Sequence, residues 1–303
     1  MINTIIFSYD RPIQLELLLR SMAQHDTDSL LRVSILYTFS GEEFKNGYDK
    51  LRLEYPAFSW IKEDRFNKKF VLPFLPVYWH NYYWWLRYKS CRTVASDFRK
   101  KLRSIITGGR EKYCCFLTDD SMFYSPVSVP APVLEHIEED PFQFSFSLRH
   151  GQNIEGGIYE EKDDMLRWKV NTTGLAPEWS YPFSVDGHIY GRRFIESSLA
   201  KVWFKNPNSL EGNIACYAKE EKILSTIYCN KESSLVGFEL NRVQEQCANN
   251  NLNIENKYLN SLFNEGYSMK IDFDKKLNRF FRPEKFRVDA FRETESINII
   301  TLK

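Results

Sequence analysis

The sequence lacks several features that would assign it to a membrane or disulfide-stabilised class. It contains no continuous apolar stretch of the roughly 20 residues that a membrane-spanning helix requires. Its first residues, MINTIIFSYDRP, carry neither a basic segment nor a long apolar segment, unlike a secretory signal peptide. The six cysteines form no CxxC pair and no regular framework. These absences predict a cytoplasmic protein with reduced cysteines.

Neither sign of charge dominates, because 41 Lys and Arg residues balance 40 Asp and Glu residues. A net charge of +1 provides no bulk attraction for a polyanion, so no nucleic-acid partner is expected. The sequence also lacks GxGxxG after the first apolar run, GxxxxGK[ST], HExxH and GxSxG. These missing motifs exclude the common signatures of dinucleotide, P-loop, zinc-protease and serine-hydrolase sites.

Short apolar runs alternate with segments of helical periodicity in the first part of the chain. The runs predict buried strands at residues 3–8, 33–39, 58–62 and 113–118, the last being the unbroken YCCFLT. Leucines spaced at i, i+3 and i+4 predict a helix after the first strand, and residues 41–54 are interpreted as another. Alternation of this kind predicts an α/β fold with a mostly parallel central sheet flanked by helices.

The second half of the chain gives weaker signals. Alternating phenylalanines predict a half-buried strand at 142–148, while residues 188–204 are predicted to be helical and residues 207–212 to form a turn. We interpret residues 1–215 as the catalytic domain and residues 216–303 as a mixed or helical C-terminal appendage packed on it.

Two adjacent carboxylates stand where the fourth predicted strand leaves the sheet. Asp119 and Asp120 follow YCCFLT directly, and ligands of open α/β sheets bind at the carboxyl ends of strands. Adjacent carboxylates repel each other, so they suit a place where a cation or hydroxyl groups share their charge. Mg²⁺ and Mn²⁺ are commonly held by one or two carboxylates plus substrate phosphates. The pair therefore predicts a metal site, beside the alternative that it only caps the following turn.

The order of these features resembles the GT-A glycosyltransferases. An opening strand ending in SYDRP, three β/α units and a buried strand ending in a DxD-like Asp-Asp carry the resemblance, over roughly residues 1–215. It implies a Rossmann-like GT-A fold, a nucleotide-diphospho-sugar donor and a divalent metal, Mn²⁺ or Mg²⁺. It implies that Asp119 contacts the donor and that Asp120 binds the metal. It also implies a nucleotide pocket lined by Ser8, Tyr9 and Arg11.

A further acidic residue, Asp186, lies in the aromatic stretch WSYPFSVDGHIYGRRF. The same resemblance implies that an acid downstream of the DxD-like motif takes the proton from the acceptor hydroxyl in inverting members. Such a base must approach the hydroxyl to within ~3 Å. The alternative is that Asp186 is the N-cap of the helix predicted to follow it. His188 is interpreted as a metal ligand, with diphosphate contact and simple packing as its alternatives.

Three other features have more than one interpretation. Arg149 is predicted to neutralise the donor phosphates, because guanidinium groups bind oxyanions bidentately, or else to be a surface charge. Glu211 has three interpretations, which are a contact with the acceptor, the catalytic base itself and a solvated acid on a turn. The aromatic insert at 74–88 has four interpretations, which are sugar stacking, contact with a lipid-linked acceptor at a membrane surface, a packed flap and a dimer contact.

The resemblance therefore implies a metal-assisted, inverting glycosyltransferase that acts on a carbohydrate or lipid-linked glycan acceptor. A lipid-linked acceptor would bring the protein into peripheral contact with the inner face of the membrane. Two alternatives remain. A sugar-phosphate nucleotidyltransferase is disfavoured because SYDRPIQ contains no glycine for a phosphate loop. A carbohydrate-binding protein that keeps the fold without catalysis is the other.

Overall fold

A computed structural model describes residues 1–72, 79–88, 92–243 and 251–302. The strands in these ranges are β1 (Ile2–Tyr9), β2 (Leu31–Thr38), β3 (Ser59–Lys62), β4 (Arg65–Phe70), β5 (Thr93–Ser96), β6 (Tyr113–Thr118), β7 (Ser121–Phe123), β8 (Phe144–Ser147), β9 (Glu160–Lys162), β10 (Met165–Lys169), β11 (His188–Gly191), β12 (Thr226–Asn230), β13 (Leu235–Gly237), β14 (Ser268–Phe273), β15 (Phe286–Arg292) and β16 (Glu295–Leu302). The helices are α1 (Pro12–His25), α2 (Glu42–Glu54), α3 (Trp79–Arg87), α4 (Phe98–Gly108), α5 (Ala131–Glu139), α6 (Arg192–Lys201), α7 (Pro207–Glu220) and α8 (Asn256–Asn264).

A nine-stranded sheet forms the centre of the molecule, in the order β3-β2-β1-β6-β11-β8-β12-β10-β9. Strand β1 is parallel to β2 and β6, and β2 is parallel to β3, whereas β11 runs antiparallel to both of its neighbours. The chain proceeds from β1 outward to β3 and then returns to the other side of β1, so a topological switch point lies between β1 and β6. The predicted α/β class with a mostly parallel, helix-flanked sheet is confirmed.

Both faces of the sheet are covered, which explains why its central strands are continuous apolar runs. Ile6 of β1 packs in one hydrophobic cluster with Leu18 of α1, while the neighbouring Ile5 packs in a second cluster with Phe98 of α4. All four side chains are at most 1% exposed, and each such burial contributes ~1.5–3 kcal/mol. The central strands thus form a rigid base for the loops at their carboxyl ends.

Two local predictions in the middle of the chain are wrong. The segment 188–204 begins with β11 and becomes helical only at α6, whose N-cap is Gly191, so Asp186 does not cap this helix. The predicted turn at 207–212 is the start of α7. Asn206 caps that helix, because its Oδ1 accepts a hydrogen bond from the backbone N–H of Ser209 at 2.9 Å.

The C-terminal part of the chain contains both helix and sheet among its described residues. After α7, the described residues contain one helix, α8, and an antiparallel sheet in the order β14-β15-β16. Phe286, Val288 and Ala290 are buried at alternate positions of β15, which is strand periodicity. Strand β12 pairs with β8 inside the central sheet, so chain on both sides of residue 215 builds that sheet. The boundary at 215 stays a prediction.

The aromatic insert is only partly described, since residues 73–78 and 89–91 lie outside the described ranges. Trp84 and Trp85 of α3 are buried, and Trp84 belongs to the same cluster as Phe98. For these two rings the packed-flap interpretation is favoured over sugar stacking. No helix in the described part of the chain is both long and apolar enough to cross a bilayer.

Candidate active site

A cleft of about 860 Å³ opens at the carboxyl ends of β1, β2 and β6, beside the switch point. It contains every predicted site residue except His188. Those residues are Ser8, Tyr9, Arg11, Asp119, Asp120, Arg149 and Asp186.

Asp119 joins the ends of the two central strands. Its Oδ2 accepts hydrogen bonds from Ser8 Oγ at 2.8 Å and from the backbone N–H of Tyr9 at 3.0 Å. Its Oδ1 accepts a hydrogen bond from Arg11 Nη1 at 3.0 Å. Burial raises the pKa of Asp119 to about 6, because desolvation outweighs the opposing effect of Arg11. Both carboxylate oxygens are therefore already engaged in holding β1 to β6.

Arg11 is a fixed cation between the two aspartates. Its Nη1 also donates to Asp120 Oδ2 at 2.9 Å. On its other side, Nε donates to Asn241 Oδ1 at 2.7 Å and Nη2 to the Asn241 carbonyl at 2.6 Å. Asn241 was not identified from the sequence, and it holds the guanidinium in place from the C-terminal part of the chain.

Asp120 keeps one oxygen available for a ligand. Its Oδ2 is bound to Arg11, its side chain is 17% exposed, and no described residue donates a hydrogen bond to its Oδ1. A Mg²⁺ or Mn²⁺ ion that is shared with substrate phosphates needs only one or two protein carboxylates. Within the described ranges, no group of three or more His, Cys, Asp or Glu side chains could hold a metal by itself. Asp120 thus fits a metal that arrives with a diphosphate, rather than one enclosed by protein.

Asp186 is held in the same cleft by two partners. Ser121 Oγ donates a hydrogen bond to its Oδ1 at 2.7 Å, and Arg149 Nη1 forms an ion pair with its Oδ2. Burial raises the pKa of Asp186, Arg149 opposes the rise, and the charge of Asp120 adds to it. The carboxyl group is therefore a stronger base than an exposed aspartate.

Gly187 sets the position of Asp186, because its φ of +76° is in the left-handed region and its N–H donates to the Phe116 carbonyl at 2.8 Å. A Cβ at this position would lie 2.5 Å from Leu235 Cδ2. We expect Gly187→Ala to lower the free energy of unfolding by roughly 2–3 kcal/mol, measured by urea denaturation. The matched control is Gly212→Ala in α7, where a Cβ would meet nothing within 4 Å. Equal effects at the two positions would contradict this account.

Glu239 is a functional candidate that sequence reasoning missed. It follows β13, which pairs with β7, and the Phe238 N–H donates to the Asp120 carbonyl at 2.7 Å. Its side chain lines the cleft, and no described residue donates a hydrogen bond to its carboxylate. Burial raises the pKa of Glu239, and the charge of Asp120 raises it further. The segment FELNR offers no motif that would have identified it.

His188 lies in a smaller hollow of about 320 Å³ beside the cleft. Arg149, Tyr181 and Glu211 line both spaces, so the two adjoin each other. The imidazole is 2% exposed, and burial and Arg149 together lower the pKa of His188 to about 3. His188 is therefore neutral near pH 7, and its role as a metal ligand stays a prediction.

Comparisons with known proteins give one curated relative and several solved structures. No family model matches the sequence. The chain is 21% identical over 333 residues to the bifunctional glycosyltransferase pgtA of Dictyostelium discoideum, in an alignment that covers 95% of this chain. The chain spans about 37% of the length of that relative. The name of this relative agrees with the glycosyltransferase resemblance found in the motif order.

The solved structures that are similar to the chain include TarS from S. aureus. For TarS 1–349 in complex with UDP-GlcNAc, the TM-score is 0.45 at 10% identity, covering 81% of this chain and 60% of that one. For another TarS crystal structure, the TM-score is 0.42 at 9% identity, covering 78% of this chain and 36% of that one.

Proposed function

We propose that the chain is a glycosyltransferase that moves a sugar from a nucleotide-diphospho-sugar donor to a carbohydrate or glycoconjugate acceptor. The observation that carries this proposal is the meeting of Asp119, Asp120 and Asp186 in one cleft at the switch point of the sheet. Its volume of about 860 Å³ is in the usual range for substrate sites. The name of the D. discoideum relative supports the same reaction class.

The donor nucleotide would lie along the end of β1. The Arg65 guanidinium stacks 4.0 Å from the centroid of the Tyr9 ring and donates to Tyr9 Oη at 3.0 Å, which holds a flat surface at the cleft wall. Arg65 and Lys68 line this side, and Arg149 lines the cleft near Asp186. Positive charges at these positions would attract the diphosphate.

Asp120 would hold a divalent metal, Mn²⁺ or Mg²⁺, together with the donor diphosphate. When bound, such an ion would neutralise the charge that develops on the departing diphosphate. Asp119 would act indirectly on the donor site, because its oxygens hold Arg11 and the end of β1 in place. Arg11 in turn fixes the orientation of Asp120.

Asp186 is the proposed base of a single displacement with inversion. It takes the proton from an acceptor hydroxyl while that oxygen forms a bond to the anomeric carbon of the donor sugar. The bond between this carbon and the diphosphate oxygen breaks on the opposite face, and the electron pair leaves with the nucleoside diphosphate. Ser121 and Arg149 keep the carboxyl group of Asp186 in one orientation during this step.

A donor screen tests the proposal. UDP-, GDP- and CMP-sugars are incubated with the protein and Mn²⁺, and slow donor hydrolysis or sugar transfer is measured. We expect activity with at least one donor, and a loss of about 10²–10³-fold in Asp120→Ala, by analogy with removal of other groups that stabilise developing charge. Asp49→Ala on α2, outside the cleft lining, is the matched control and should retain activity. Full metal-dependent activity in Asp120→Ala would contradict the proposal.

The same screen separates the two alternatives. A carbohydrate-binding protein would be stabilised by sugars and by no nucleotide sugar. A nucleotidyltransferase would consume a nucleoside triphosphate and a sugar phosphate, with release of pyrophosphate.

A further inference from the structure

The smaller hollow beside the cleft has the properties of a second binding space. Its volume is about 320 Å³, and it is lined by side chains from four distant parts of the sequence, represented by Arg149, His188, Glu211 and Phe281. It shares Arg149, Tyr181 and Glu211 with the cleft. A molecule in the hollow would therefore lie next to the ion pair that holds Asp186.

Two residues that line this hollow each have a buried nitrogen atom without a hydrogen-bond partner. His188 Nδ1 is shielded from solvent and forms no hydrogen bond with any described residue, and Arg149 Nε is in the same situation. Buried polar atoms nearly always have hydrogen-bond partners, because a buried polar atom without one destabilises the folded state. The backbone of His188 pairs with Ser147 of β8 at the start of β11, so its Cα has a fixed position. A ligand that hydrogen-bonds to these nitrogens would remove the penalty.

The hollow is also lined by an aromatic residue with a strained backbone. Phe281 has a φ of +60°, in the left-handed region that phenylalanine rarely adopts. Its ring lies with its centroid 4.4 Å from the Arg149 guanidinium carbon and 4.7 Å from the centroid of the His150 ring. Strain of this kind destabilises the folded state and is often found at functional sites. Here it belongs to an aromatic side chain that lines the hollow.

The charges around the hollow favour a neutral ligand. Glu178 and Glu211 line it, while the positive charge of Arg149 is paired with Asp186. Among the described lining residues, the two carboxylates outnumber the one arginine, whose charge Asp186 already shares, so an added carboxylate or phosphate group is disfavoured. An aromatic face combined with hydrogen-bonding groups suits a ring that has both an apolar face and hydroxyl edges.

We propose that the smaller hollow is the subsite for the terminal sugar of the acceptor, and that it takes a neutral, hydroxyl-bearing ring. The inference rests on the proposed function. It adds the chemical class of the acceptor sugar and two residues that recognise this sugar. Phe281 packs against the apolar face of the ring, and His188 hydrogen-bonds to a hydroxyl on its edge. Glu211, held through Oε1 by Ser184 Oγ at 2.9 Å and the Val185 N–H at 3.1 Å, faces the same space.

Binding measurements on the full chain test this inference. The probes are the methyl glycosides of glucose, galactose, mannose and N-acetylglucosamine, with methyl glucuronide as the anionic comparison, titrated in the presence of the nucleoside diphosphate of the preferred donor. We expect at least one neutral glycoside to bind, and the glucuronide to bind at least tenfold more weakly. His188→Ala should weaken binding of the neutral glycoside at least tenfold, and it should weaken nucleoside diphosphate binding by a smaller factor.

Two further variants test the aromatic contact and provide a control. Phe281→Leu removes the aromatic ring with a small change in side-chain volume, and it should weaken binding of the neutral glycoside at least threefold. His136→Ala, on the exposed side of α5, is the matched control and should change neither affinity. Retained nucleoside diphosphate binding shows that each variant is folded.

The outcomes separate the inference from the proposed function. If the wild type binds nucleoside diphosphate but no neutral glycoside, or binds the glucuronide as tightly, the subsite is wrong and the proposed function stands. Unchanged glycoside binding in both His188→Ala and Phe281→Leu would also overturn the subsite. If the wild type binds no nucleoside diphosphate or nucleotide sugar, the proposed function fails and this inference fails with it.

Discussion

Replacing Asp186 with Asn should lower kcat for sugar transfer by about 10²–10⁴-fold, the usual contribution of a general base. Donor affinity should change less than twofold, because Asn keeps the size of the side chain and an oxygen for Ser121 Oγ. The loss should therefore appear in kcat rather than in the KM of the donor. The measurement is steady-state kinetics with the donor found in the screen.

The pH dependence provides an independent readout of the same residue. A base acts only when ionised, so kcat/KM should fall as pH falls through the pKa of Asp186. Because burial raises that pKa above its ordinary value, the acid limb should lie at a higher pH than an exposed aspartate would give, and it should disappear in Asp186→Asn.

Glu239→Gln is the matched control, since Glu239 lines the same cleft and also has a pKa raised by burial. We expect it to lower kcat by less than tenfold. If Glu239→Gln removes the activity and the acid limb while Asp186→Asn keeps both, Glu239 is the base and the proposed assignment is wrong.

Asp119→Ala should lower the free energy of unfolding by about 3–5 kcal/mol, the range found when one partner of a buried ion pair is removed. The substitution would leave Ser8 Oγ and the Tyr9 N–H without their acceptor and would take one of two carboxylates from the buried Arg11. Chemical denaturation monitored by far-UV circular dichroism measures this change.

Asp120→Ala is the comparison for stability, because Asp120 binds the same Arg11 nitrogen but is more exposed. We expect Asp120→Ala to lower the free energy of unfolding by about 1–2 kcal/mol, since Asp119 still pairs with Arg11. The loss in the free energy of unfolding of Asp119→Asn should fall between the losses of Asp119→Ala and Asp120→Ala, because Asn keeps one acceptor oxygen. Equal losses in Asp119→Ala and Asp120→Ala would mean that Asp119 does not join β1 to β6 as described.

The central strands and the acidic pair could be predicted because their signals are local. Strand β6 is a continuous apolar run buried on both faces, and Asp119 and Asp120 follow it directly. The pairing of β1 with β6 then brings Ser8 and Tyr9 to Asp119 without further information. Parallel strands end at the same edge of a sheet, so these contacts follow from topology.

The errors occurred where short elements carry little periodicity. Strand β11 has only four residues, and the stronger helical pattern of α6 directly after it dominates the segment. Residues Asn206, Pro207 and Ser209 are typical of turns, yet the same residues form a capping box at the start of α7. A local pattern of this kind fits both interpretations.

The missed residues depend on contacts between distant parts of the chain. Arg11 binds Asn241 across 230 positions of sequence, and Phe281 reaches Arg149 from the C-terminal part. Glu239 lies beside Asp120 because β13 pairs with β7. Strand pairing over such separations is set by tertiary packing, and neither composition nor spacing reveals it.

The most direct test of the account is thermal unfolding of the wild-type chain with UDP-, GDP- and CMP-sugars in the presence of Mn²⁺. A ligand that binds only the native state at 100 times its Kd stabilises it by about 2.7 kcal/mol. We expect at least one nucleotide sugar to raise the Tm, and we expect the Mn²⁺-dependent part of this rise to be absent in Asp120→Ala. No rise with any of these donors would contradict the claim that the cleft beside Asp119 and Asp120 binds a nucleotide sugar.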